Sequence, residues 1–174
     1  MTSSSEKVVE LLGDYKPMLD FVLEEMKKLQ FQEELLCDHI CFRVETEADY
    51  DKYKKIIGSF STCVTETLVS GRNISIFKLQ DPIQYKNLSI DCLELPAPKK
   101  GSFYQKGLEH AEFVLKDLNQ FIEENKDTPF SFKAMNREIN PELALKLGRG
   151  FQVKFHPLHI LDVIKIEKEQ DKKR

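Results

Sequence analysis

His39-Ile-Cys-Phe-Arg-Val44 alternates polar and apolar side chains with a period of two, as a half-buried β-strand does. His39, Cys41 and Arg43 fall on one face; Ile40, Phe42 and Val44 fall on the other. Upstream the period is helical. From Glu6 to Leu36 apolar residues recur as Val8, Leu11 and Leu12, then Met18, Leu19, Val22, Leu23, Met26 and Leu29, which predicts two helices broken between Gly13 and Pro17. Downstream, Asp49, Tyr53, Ile56 and Ile57 give a helix that stops at Gly58. Strands at Ser61 to Val69, Asn73 to Leu79 and Leu88 to Leu95 follow, separated by turn signals at Ser70-Gly71-Arg72 and Asp81-Pro82. The unit reads βαβββ.

The order then repeats. After the connection Pro96-Ala-Pro98-Lys-Lys-Gly101, a strand runs from Glu109 to Leu115 and a helix from the N-cap Asp117 to about Lys126. Strands at Phe130 to Met135, Leu143 to Leu147 and Phe151 to His156 complete a second βαβββ unit, the last two joined through Gly148-Arg149-Gly150, before a helix from Leu158 to about Glu169. One unit alone would expose a hydrophobic sheet face. Pairing two buries that face and leaves a cup lined by the other, with any ligand site between the halves. The expected fold is therefore α+β, one structural domain in three parts. These are a helical extension over 1–36, a first module over 37–98, and a second module with the C-terminal helix over 99–174.

Composition narrows the function classes. Hydrophobic residues are 41% and charged residues 32% of the 174, the balance of a globular core-driven chain. A net charge of −3 with mixed signs offers no broad basic face, which argues against nucleic acid. The charged tail, Lys165 to Arg174, alternates signs and reads as a solvated helix end. Cys37, Cys41, Cys63 and Cys92 form no CxxC pair and suit buried free thiols in a reducing compartment. The Ser-rich start lacks an apolar signal region and no run is long enough for a membrane span, so the expectation is a cytoplasmic protein, monomer or homodimer.

Strand parity then gathers the chemistry. His39, Cys41 and Arg43 share a face, as do Cys92 with Glu94, His110 with Glu112, and Gln152 with Lys154 and His156. Three imidazoles and one carboxylate, His39, His110, His156 and Glu94, make a ligand set for zinc, iron, manganese, nickel or cobalt. Asp38, Glu109 and Glu112 are candidates to orient the histidines through their second nitrogens. Taken singly, each histidine is explained as well by filling a half-buried strand position and hydrogen-bonding a neighbour. His159 falls inside the C-terminal helix pattern and is expected to cap or pack.

The blocks Cys37-Asp-His-Ile-Cys-Phe-Arg43, Ser70-Gly-Arg-Asn-Ile-Ser-Ile-Phe-Lys-Leu79, Leu93-Glu-Leu-Pro-Ala-Pro98, Gly107-Leu-Glu-His-Ala-Glu112 and Val153-Lys-Phe-His-Pro157 resemble, in order, the signature blocks of the YecM family. That family is similar in fold to the vicinal oxygen chelate superfamily of glyoxalases, epimerases, extradiol dioxygenases and antibiotic-resistance proteins. The resemblance implies paired βαβββ modules with metal ligands on the first and last strand of each. Those positions are His39, Glu94, His110 and His156; the last departs from the carboxylate common in glyoxalase-like members.

Three function classes are consistent with this reading. The first is a divalent-metal-dependent isomerase or lyase acting on a small, oxygen-rich anionic substrate. Glu112 would be its proton-transfer base, and Arg43, Arg72 or Lys154 would hold the substrate's anionic group. The second is a non-catalytic module that binds a small molecule in the same cup. The third, a non-haem iron dioxygenase, needs coordination positions that four protein ligands leave scarce.

Overall fold

The computed structural model describes residues 2–173, so Met1 and Arg174, the outermost positions of the polar start and the charged tail, lie outside it. Thirteen elements follow in the order α1 (Ser4–Leu12), α2 (Lys16–Met26), β1 (Leu36–Arg43), α3 (Glu47–Gly58), β2 (Ser61–Val69), β3 (Arg72–Tyr85), β4 (Leu88–Pro96), β5 (Gly107–Val114), α4 (Leu118–Glu124), β6 (Ser131–Ala134), β7 (Glu142–Gly148), β8 (Phe151–His156) and α5 (Ile160–Asp171). The strands form one sheet in the order β2-β3-β4-β1-β5-β8-β7-β6. Read outward from the middle, each half has the same sequence of strands. β1 pairs antiparallel with β5 at the centre, and each is flanked by a parallel partner, β4 or β8. The paired βαβββ modules thus share one cupped mixed sheet.

The convex face carries the main core. Ile40, Phe42, Leu93, Leu95, Phe113 and Phe155 are buried there beneath Leu19 and Val22 of α2, Ile57 of α3 and Phe121 of α4. The ring of Phe155 lies 4.9 Å from that of Phe121 and 5.9 Å from that of Phe31, which ties the helical extension to the second module. A smaller cluster on the concave face brings Ile164 of α5 against Ile76 and Cys92. The C-terminal helix therefore packs inside the cup, not over the core.

Local chemistry sets most element ends. Ser3 caps α1 in a reciprocal box with Glu6, Thr46 caps α3 through the Asp49 amide, and Asp117 caps α4 as its position predicts. At α5 the cap is His159, which accepts from the Leu161 amide. Its ring also lies 3.2 Å from Asp91, and that hydrogen bond raises its pKa above the ordinary value.

Two segments differ from the sequence reading. The helix expected to continue toward Leu36 ends at Met26, because the Asn125 side chain accepts from the Gln30 amide and donates to the Gln30 carbonyl as a strand neighbour would. That pairing leaves Phe31 stacked on Phe121, with ring centroids 5.0 Å apart. Likewise, β3 runs straight through Asp81-Pro82 instead of turning. Its pairing with β2 ends at Leu79, so Pro82 occupies an edge where a missing N–H is tolerated, and a register shift there relaxes the ladder to β4. Asp81 fixes the extension by accepting from the Ser4 amide at 2.7 Å.

Truncating Phe155 to alanine should cost about 3–5 kcal/mol in urea unfolding, a lower midpoint at unchanged slope. The His159–Asp91 pair sets a pH signature. Because the folded pKa is raised, the pair's stabilisation is complete below the ordinary histidine value of about 6.5 and fades as pH climbs through the raised one. His159→Gln should therefore lower the melting temperature at both pH 6 and pH 9, through the lost cap at pH 9 and by a larger amount at pH 6.

Candidate metal centre

Each module opens on an acid followed by histidine, and both pairs sit at irregularities in the β1–β5 ladder. Cys37 faces Phe113 and His39 faces Glu112, leaving Asp38 as an extra residue in β1; Cys41 faces His110 and Phe42 faces Leu108, leaving Glu109 extra in β5. A bulge of this kind re-aims the side chain it interrupts. Asp38 and Glu109, which strict alternation would send to the convex core, instead reach the histidines beside them. Asp38 Oδ1 is 2.8 Å from His39 Nδ1, and Glu109 Oε2 is 3.4 Å from His110 Nδ1. Asp38 Oδ2 also accepts from the Ile160 amide at 2.7 Å.

Glu112 lies in the middle of the three imidazoles. Its Oε2 is 3.4 Å from His39 Nε2 and 3.6 Å from His156 Nε2, while its Oε1 is 3.0 Å from His110 Nε2. Glu94 approaches from β4, 3.7 Å from His110 Nε2 and 4.0 Å from His39 Nε2. His156 is also 3.4 Å from Asp38 Oδ1, and its Nδ1 is 2.6 Å from the Leu158 carbonyl, to which a protonated Nδ1 donates. Among the described residues three trios each have donor atoms within 4.8 Å of one another: His39 with Glu94 and Glu112, Asp38 with His39 and His156, and Cys41 with Glu109 and His110, so no trio holds more than two of the four ligands expected from the sequence.

Among the described residues, the Nε2 atoms of His39 and His156 are buried without a hydrogen-bond partner. A buried polar atom left so costs free energy unless something satisfies it. With Nδ1–H of each ring given to Asp38 or to the Leu158 carbonyl, both Nε2 lone pairs face the carboxylates. Donor separations of 3.0–4.0 Å are those spanned by pairs of roughly 2 Å bonds to one ion. The residues therefore fit a divalent cation.

Charge balance supports the same reading. Burial resists ionisation of Glu112 and Glu94, yet Lys154 and the neighbouring imidazoles hold both carboxyls below the usual range, Glu112 far below it. Asp38 is likewise held low by His39 and His156 against the effect of burial. Burial disfavours the charged form of His39, but Glu112 and Asp38 overrule it and raise the imidazole well above its ordinary value; Asp38 and Glu112 also raise that of His156 against its burial. The cluster has surplus negative charge that protons or a cation can neutralise.

Of the other residues singled out in the sequence, Lys154 Nζ is 3.0 Å from Glu112 Oε1 and 3.3 Å from Glu142 Oε1. Arg43 pairs through Nε with Glu109, and Arg72 donates to the Ala97 carbonyl at 3.3 Å. All three line the cup, a cavity of about 280 Å³. Glu142, Arg137 and Asn140 line it too and escaped the sequence reading. The sequence pattern starts the strand at Leu143, whereas β7 begins at Glu142, and alternation from Leu143 and Leu145 puts Glu142 on the polar face. His159 stands apart from the cluster as a helix cap.

A single sheet of two βαβββ halves, with His39, Glu94 and Glu112 of its central strands lining the cup, has the fold of the vicinal oxygen chelate type. One structure with this fold is a methylmalonyl-CoA epimerase. It superposes with a TM-score of 0.52 at 12% identity, over 72% of this chain and 97% of that one. The chain belongs to the YecM family, whose model, described as YecM protein, matches residues 7–167. It is similar to protein YecM of Escherichia coli strain K12, at 28% identity over 149 residues, covering 76% of this chain and 79% of that one. A solved structural-genomics protein, EC4020, is 26% identical and superposes with a TM-score of 0.75 over 94% of both chains.

Lys154 is the counter-ion whose loss should be felt most. Lys154→Met leaves Glu112 and Glu142 without their ammonium partner, and urea unfolding should show a loss of about 3–5 kcal/mol.

Proposed function

We propose that the chain binds a divalent metal ion in the cup and acts as an isomerase or lyase on a small, oxygen-rich anionic substrate. One observation carries this reading: two buried imidazole nitrogens, on His39 and His156, have no hydrogen-bond partner among the described residues and converge on carboxylate oxygens. His39, Glu94, His110 and His156 are the proposed ligands. Zinc, iron, manganese, nickel and cobalt all suit imidazole and carboxylate donors. Bound there, the ion supplies Lewis acidity toward a substrate oxygen.

The remaining residues prepare the site. Asp38 and the Leu158 carbonyl hold the rings of His39 and His156 in one tautomer and orientation, and Glu109 does so for His110. Lys154 balances Glu112 and keeps it ionised. Glu112, read from the sequence as the base, is held ionised beside Lys154 and can accept a proton there. Its contacts with three imidazoles suit it also to join the four ligands at the ion. A cup of about 280 Å³ is in the range of sites that take small molecules.

Elemental analysis of protein purified from metal-replete medium should show close to one equivalent of a divalent metal, and His39→Ala and His156→Ala should each lose most of it. Full occupancy in both variants would reject the site. A second measurement separates the two roles of Glu112. As a ligand, Glu112→Gln should lower metal content; as a base, it would keep the metal and lose only turnover. Saturating metal at about 100 times its dissociation constant should stabilise the wild type by about 2.7 kcal/mol and leave His39→Ala unmoved.

A further inference from the structure

Arg43 closes the cup at the end where β1 finishes. Its side chain is only 9% exposed, its Nε is committed to Glu109, and its Nη1 has no hydrogen-bond partner among the described residues. A buried guanidinium nitrogen without an acceptor is rare, because it forfeits the hydration that water would have given it. Tyr104, on the connection between β4 and β5, lies across this arginine with its ring centroid 4.5 Å from the guanidinium carbon. The same ring is 5.7 Å from the guanidinium carbon of Arg72 at the start of β3. Two arginines from separate strands thus share one aromatic ring at the rim. Lys154, by contrast, is already occupied by Glu112 and Glu142.

We infer that Arg43 and Arg72, with Tyr104 between them, form a subsite for the anionic group of the cup's ligand, a carboxylate or a phosphate. The inference rests on the reading of the cup as a ligand site and does not depend on a bound ion. Guanidinium donors match the oxygens of both groups, and the missing acceptor for Nη1 is an oxygen of this kind. Position along the strand adds a distance. Cys41 is level with Glu94, and the Cα of Arg43 lies two residues, about 7 Å, further along the strand. A small acid with a second oxygen function would engage both levels.

The chain has no tryptophan, so Tyr104→Trp installs a single fluorescent reporter in the subsite. Protein treated with EDTA would be titrated with malonate and, separately, with inorganic phosphate, with chloride holding ionic strength constant. Saturable change in emission is expected with at least one anion, and the better of the two identifies the group as carboxylate or phosphate. Arg43→Met and Arg72→Ala in the reporter background should each weaken binding by about tenfold or more, while Lys106→Ala on the same connection should leave it within about twofold. If Arg43→Met fails to fold by circular dichroism, Arg72→Ala and Arg43→Lys carry the comparison, since the lysine keeps the charge and loses the fork. Amide chemical-shift changes at Arg43 and Arg72 in unsubstituted protein would repeat the titration without the reporter. Linear, unsaturable responses to both anions, or equal affinity with and without the arginines, would overturn the inference. Because chelator is present throughout, that failure is separate from a failure to find metal.

Discussion

The antiparallel seam between β1 and β5 is the constraint on which the molecule depends. It joins two half-sheets that could not each bury a face, and it lays the two acid-histidine steps side by side. Regular pairing would have turned Asp38 and Glu109 into the apolar layer, where an ionised carboxylate is costly. An extra residue in each strand avoids this by sending both acids to the concave side. The irregularity that solves a burial problem therefore also supplies the partners that orient His39 and His110. Structure and chemistry are set by the same two positions.

Much of this was legible in the sequence because the signals were local. Alternation in His39 to Val44 and Phe151 to His156, turn residues at Ser70-Gly71 and Gly148-Arg149-Gly150, and a cap at Asp117 act over a few residues, and the elements fall where those signals place them. Parity put His39, Glu94, His110, Glu112 and His156 on one face, and these are the groups found within 4.0 Å contacts of one another around Glu112. Contacts remote in sequence were not legible. Asn125 halts the helical reading after Met26 from almost a hundred residues away, and Ser4 straightens β3 at Asp81 from a similar distance. The bulges did leave a signal: Cys37-Asp38-His39-Ile40 and Leu108-Glu109-His110-Ala111 each set two polar residues between core-facing ones, the phase slip that one inserted residue makes in a strand.

Electrostatics explains why so polar a group can exist inside a folded domain. Asp38, Glu94, Glu109 and Glu112 are brought close together, and no one of them is balanced by a single cation. Arg43, Lys154 and the imidazoles distribute the compensation, so each acid stays ionised in spite of its burial. Such a network gains little net stability over apolar packing, and its justification lies in the field it creates for whatever enters the cup.

Asp38 divides its two oxygens between a site histidine and the first amide of the last helix. One carboxylate thus anchors both the ring of His39 and the start of α5, so the far end of the chain is tied to the cavity's interior by a residue some 120 positions earlier.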